Sequence, residues 1–133
     1  MNQHPLLENR NRLVAECRAM QEKYGNRAIL RSLDYKLEWA YTVHESGREF
    51  PIRIIYPVNY PSSPPQIVSV KDLPPSPHQL GKNKICWIDP WANDSDWNPA
   101  RDTAAVCIPV ASRWFACLLI YLTLGEWPEG AQD

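Results

Sequence analysis

Most signatures by which an enzyme can be read from its sequence are missing here. There is no glycine-rich phosphate loop, no His-Glu-x-x-His and no Gly-x-Ser-x-Gly, which removes three common catalytic templates. Only three histidines occur, His4, His44 and His78, so a histidine-rich metal site lacks ligands, and no cofactor is implied. The four cysteines, Cys17, Cys86, Cys107 and Cys117, show none of the close spacing of zinc-ribbon ligands. No basic segment followed by an apolar run opens the chain, so no secretory signal is visible. Reduced thiols in the cytoplasm are the expectation, with a disulfide among the four left open. An excess of one charge is lacking too. Fourteen Lys and Arg stand against 15 Asp and Glu, a net charge of −1, and no cationic block calls for nucleic acid.

What is present fits one domain over residues 1–133, with 44% apolar and 22% charged residues, a composition that argues against disorder. Thirteen prolines limit long helices and central strands. Six tryptophans imply buried aromatic mass, an interface, or both. The run from Ala104 to Leu124 has membrane-span length and one charge, Arg113. Pro109 and Ser112-Arg113 interrupt it, and a buried core helix is expected in place of a membrane span.

Leu6, Leu13, Cys17, Met20 and Tyr24 recur at helical spacing, which predicts an amphipathic N-terminal helix stopped by Gly25-Asn26. Arg10, Arg12, Glu16, Arg18, Glu22 and Lys23 are assigned to its outer surface, with Arg10 and Arg12 as candidate partner-binding residues. Strand character follows at 28–33. Leu37, Trp39, Tyr41 and Val43 then alternate with polar or small residues, and Phe50, Ile52 and Ile54 do so again after the turn at Glu45-Ser46-Gly47-Arg48. Gln66 to Val70 supplies another arm. Residues 71–103 read as loop, and an apolar helix is expected from Val110 to Leu124. Trp114, Phe115, Leu118, Leu119 and Leu122 mark one face of that helix, and Ala116, Cys117, Ile120 and Tyr121 the other. A helix followed by an antiparallel meander and a buried helix is α+β.

Cys86 is the cysteine in an unusual place. It sits in the irregular region between Gly81-Lys82-Asn83-Lys84-Ile85 and Trp87-Ile88-Asp89-Pro90, where an accessible thiolate is expected. Lys82 and Lys84 either lower its pKa or are simply exposed. The other three cysteines fall in helical or apolar runs and read as core.

The run Tyr56-Pro57-Val58-Asn59-Tyr60-Pro61-Ser62-Ser63-Pro64-Pro65 resembles the Phe-Pro-x-x-Tyr-Pro-x-x-Pro-Pro signature of ubiquitin-conjugating enzymes. Lys84-Ile85-Cys86 and Trp97-Asn98-Pro99-Ala100 follow in that family's order, and the resemblance covers roughly residues 5–124. It implies the family's fold: N-terminal helix, meander sheet, proline-rich active-site loop and buried helix. The family's two C-terminal helices have no counterpart before Asp133. That is similar to compact bacterial relatives in anti-phage conjugation operons, including CBASS nucleotide-cyclase systems. The resemblance implies a polypeptide C-terminus held as a thioester on Cys86 and passed to an amine. Its partners would be an activating enzyme and a carried chain, with a nucleotide cyclase as one candidate.

The sequence also departs from the pattern. The family's His-Pro-Asn falls on Ser76-Pro77-His78, so His78 takes the place of the supporting Asn. The loop from Cys86 to Trp97 is a few residues longer than usual. Asp89, Asp94, Asp96 and Asp102 make that side of the site acidic, where carboxylates could orient a lysine and accept its proton or be ordinary solvated loop. A catalytically inactive partner-binding module and a cysteine hydrolase remain as alternatives. Ile120 and Tyr121, with Trp127 at their edge, are expected to bind a second copy or a client protein, unless the N-terminal helix and tail cover them.

Overall fold

The computed structural model describes residues 3–79, 81–85 and 97–128. A short 3-10 turn, Pro5–Glu8, leads into helix α1, Arg10–Tyr24. Asn9 caps α1, its side-chain oxygen accepting the Arg12 N–H at 3.2 Å. Gly25 ends it at φ +54°, a backbone conformation for which glycine carries no side-chain penalty. Five strands follow: β1 Ile29–Leu33, β2 Lys36–Glu45, β3 Arg48–Ile55, β4 Gln66–Ser69 and β5 Lys84–Ile85. They form one antiparallel sheet in the order β1-β2-β3-β4-β5. Helix α2, Cys107–Leu124, closes the fold. The α+β meander between two helices is the architecture expected.

The strand register places the inward alternation in line. Leu30, Trp39, Ile54, Ile67 and Ile85 stand opposite one another across all five strands. The last four are 5% exposed or less. A one-residue slip would turn this whole row to solvent, so burial fixes the register. At the β2–β3 turn, Ser46 and Gly47 have φ of +53° and +76°, the twist a two-residue hairpin needs. Helix α2 lies on the core face, with Phe115 stacked on Phe50 at 4.3 Å and Cys107, Ala111 and Phe115 wholly buried. The apolar run long enough to span a membrane is therefore the helix that fills this core.

Three expectations change. Helix α2 starts at Cys107, behind a 3-10 turn at Ala104–Val106, and not at Val110. Pro109 falls in its first turn, where a missing N–H costs nothing. Leu122, placed on the same face as Trp114 and Phe115, is half exposed, as is Ile120, and Leu124 is more so, because the last turn has little described cover. Strand β5 lies within the stretch read as loop. Two residues carry no periodicity, and Ile85 is its single core contribution.

Candidate active site

Glu16, assigned to the solvent face of α1, is only 1% exposed. Its carboxylate accepts from four groups. Tyr56 Oη and the Ala104 N–H donate to Oε1, each at 2.8 Å, while Arg12 Nε at 2.9 Å and Tyr60 Oη donate to Oε2. The two phenols belong to the Tyr-Pro run, and Ala104 opens the turn before α2. A buried carboxylate without partners would be prohibitive; here the four donors come from three parts of the chain, α1, the Tyr-Pro run and the turn before α2. Burial, and then the neighbouring Glu16 charge, pushes both phenol pKa values above the ordinary tyrosine range. His4 fastens the same loop from the other side. Its Nε2–H donates to the carbonyls of Tyr56 and Pro57 at 3.1 and 3.0 Å, and its Nδ1 accepts the Leu6 N–H.

The second motif is tied to the first. Trp97 Nε1–H donates to the Pro61 carbonyl at 2.8 Å, and its ring leans on Tyr60 at 5.6 Å. Asn98 and Asp102 close the turn that follows, with Asp102 Oδ2 accepting the Asn98 N–H at 2.9 Å. Arg12 then reaches across to the carbonyls of Pro99 and Asp102 at 2.8 and 2.6 Å. Two segments more than thirty residues apart are thus fixed to one helix, with Cys86 between them in sequence.

The third segment is the approach to Cys86. Asn83, at φ +68°, accepts the Leu73 N–H on its side-chain oxygen at 2.9 Å and donates to Asp72 at 3.0 Å. Its own carbonyl accepts the Ser69 N–H at 2.8 Å. Gln79 bridges to Ile85, the residue before Cys86 in the chain. His78, next to Gln79, is half-buried at φ +61°, and its carbonyl accepts the Trp114 indole N–H at 3.1 Å. Beside this loop an open cleft of about 420 Å³ is lined by Leu73, Pro75, Ser76, Gln79, Gly81 and Lys82.

With these three segments in place, the comparison with known families is decisive. A family model, Type II CBASS E2 protein, matches residues 16–133. The chain belongs to the Type II CBASS E2 protein family. No curated protein and no solved structure matches it. Membership gives this CBASS E2 a conjugation-type role in anti-phage defence, and implies partners within the CBASS system.

The residues predicted for the site are distributed as follows. Cys86, Asp89, Asp94 and Asp96 lie outside the described residues. His78 is brought beside the strand that leads to Cys86 in sequence. Asp102, counted among the acidic groups, is turned inward and 8% exposed. Arg101 at 2.8 Å and the Asn98 amide hold its carboxyl below the usual carboxylate range. It anchors a turn and is not presented to an incoming amine. Lys82 lies 3.7 Å from Asp72 at the surface, so its charge is shared there. Lys84 is exposed on β5.

Among the partner-binding candidates, Arg10 is exposed. Arg12 is not a docking residue of the kind expected: its guanidinium is spent on Glu16, Tyr60 and two carbonyls within the chain. Ile120 is 41% exposed and Tyr121 half-buried. Trp127, expected at an open rim, folds inward against Trp114 at 5.5 Å and His78 at 5.1 Å. The tail therefore covers part of the face assigned to a partner.

The remaining cysteines, Cys17, Cys107 and Cys117, are free thiols. Burial raises the pKa of all three, with Glu16 adding to the rise for Cys17 and Cys107. Nucleophilic thiolate is disfavoured at each.

Proposed function

We propose that this CBASS E2 carries a polypeptide C-terminus as a thioester on Cys86 and transfers it to an amine, with a nucleotide cyclase of the system as the client. The observation that supports this most is the frame on the amino side of Cys86. Gln79 and Ile85 are bridged, Asn83 is bonded to both flanks of the loop, and His78 lies beside them. The raised thiol pKa values of Cys17, Cys107 and Cys117 support the same reading, since burial disfavours the nucleophilic thiolate at each of the three described cysteines.

In the charging step the Cys86 thiolate attacks the activated carbonyl of the tail on the activating enzyme, and the enzyme's thiolate leaves. In the transfer step the amine nitrogen attacks the Cys86 thioester. A tetrahedral oxyanion forms, the amide bond is made as the C–S bond breaks, and Cys86 departs as thiolate. His78 would donate a hydrogen bond to that oxyanion. Asp89, Asp94 and Asp96 are the carboxylates available in sequence to accept the amine's proton.

The test is incubation with the activating enzyme of the system, ATP and the cyclase, followed by electrophoresis with and without reductant. A reductant-labile adduct that is absent in Cys86→Ala is expected. Absence of any adduct in wild type would favour the binding-module reading, which the replacement of the family's Asn by His78 motivates. Cleavage of the tail without a lasting adduct would favour the hydrolase.

A further inference from the structure

We infer that Trp127, in the segment after α2, is a positioning residue for His78; this rests on the thioester reading above. Helix α2 ends at Gly125, whose φ of +81° and N–H bonded to the Tyr121 carbonyl at 2.7 Å reverse the chain. The reversal lays Trp127 back along the helix. Its ring meets Tyr121 at 6.3 Å and Trp114 at 5.5 Å. These two residues are seven positions apart, about two helical turns on one face. The Trp127 ring also meets the His78 ring at 5.1 Å and 59°, a tilted contact within the favourable range for aromatic pairs.

The loop is thus held at three successive points. The His78 carbonyl is fixed by the Trp114 indole, the His78 ring by Trp127, and Gln79 by its bridge to Ile85. The second of these bears on chemistry. A hydrogen-bond donor for an oxyanion is effective only when its direction is set before charge develops. At φ +61°, a sparsely populated backbone state for a non-glycine residue, His78 depends on its surroundings for its orientation. Trp127 supplies a surface against which one ring orientation is favoured. Ring contacts of this kind bias an equilibrium by roughly two- to tenfold, which bounds the effect below that of removing the imidazole itself.

The experiment combines a kinetic cycle with a spectroscopic readout on the full-length chain. Trp127→Ala should slow discharge of the thioester to amine by about two- to tenfold while charging is unchanged. Trp127→Phe should recover most of the rate. Trp127→Leu keeps apolar cover on Trp114 but offers no aromatic face, so it should be slow and remain folded. Added to His78→Ala, Trp127→Ala should cost nothing further, because a positioning residue has nothing left to position. In histidine-labelled protein the His78 ring resonances should move in Trp127→Ala and Trp127→Leu while those of His4 and His44 stay in place. If the double variant loses the full factor of the single one, or the His78 resonances do not move, the inference is overturned although the thioester stands. If wild type forms no thioester, the carrier reading falls and the positioning role with it, whatever the resonances show.

Discussion

The two sides of the loop region are held by opposite means. On the Glu16 side, one buried carboxylate binds two phenols, a guanidinium and a backbone amide drawn from α1, the Tyr-Pro run and the entry to α2. On the His78 side, the loop is held by the Trp114 indole bond to the His78 carbonyl, the Gln79–Ile85 bridge, ring contact with a tail residue, and an asparagine in a left-handed conformation. The first is a closed polar network in a dry interior, where losing one member strands the others. The second is an open surface next to a cleft, with two non-glycine residues at positive φ, His78 and Asn83. On the thioester function proposed above, a polypeptide tail and an amine must be admitted beside Cys86 without unfolding. The contrast then separates the part that must not move from the part that must receive.

The largest expected effect falls on the rigid side. Glu16→Ala leaves the Arg12 Nε–H, two phenols and the Ala104 amide without the carboxylate they donate to, and should cost about 3–5 kcal/mol of stability in urea denaturation. A loss below about 1 kcal/mol would mean that the network holds little, and the comparison would collapse. His78→Ala is the counterpart on the open side. It should slow thioester discharge by roughly 10²–10³-fold, the usual cost of one oxyanion donor, while stability changes by less than about 1 kcal/mol. Unfolding of that variant would place His78 among the structural residues.

A third effect appears only at alkaline pH. Tyr56 and Tyr60 have folded pKa values raised by burial and by Glu16, so the folded state holds their protons more tightly than the unfolded chain. The stability they contribute is fully present below the unfolded phenol pKa of about 10 and is lost as pH rises above it. Ultraviolet titration should show Tyr56 and Tyr60 ionising only as the protein unfolds. Ionisation of Tyr56 and Tyr60 in the folded state would contradict the buried network. The smallest effect is local. Asn83→Ala removes the acceptor of the Leu73 N–H and should speed exchange of that amide by roughly tenfold. Unchanged exchange would show the loop to be held from elsewhere.

Much of this was legible in the sequence, for reasons that also explain the failures. The alternation from Leu37 to Val43 and from Phe50 to Ile54 reads directly, because one buried face imposes a period of two. The ordered motifs around Cys86 fixed the family, since their spacing follows the path of the chain around the site. A glutamate among arginines on a helix reads as solvated, whereas Glu16 is buried. Its partners Tyr56, Tyr60 and Ala104 lie 40 to 88 residues away. The one clue was that two phenols destined for the core would need an acceptor. The same pattern puts Arg12 at the surface. Charge alone groups Asp102 with Asp89, Asp94 and Asp96 and cannot identify it as a turn anchor. Trp127 reads as outward because nothing local encodes a chain reversal over two turns of helix except Gly125.

The central claim is that one particular thiol carries the acyl group, and mapping the adduct tests it most directly. The Cys86→Ser variant should be charged more slowly and hold the tail as an oxyester that survives reductant, found by proteolysis and mass spectrometry on the peptide containing residue 86. A modified peptide containing Cys17, Cys107 or Cys117 in wild type, with residue 86 bare, would contradict the account.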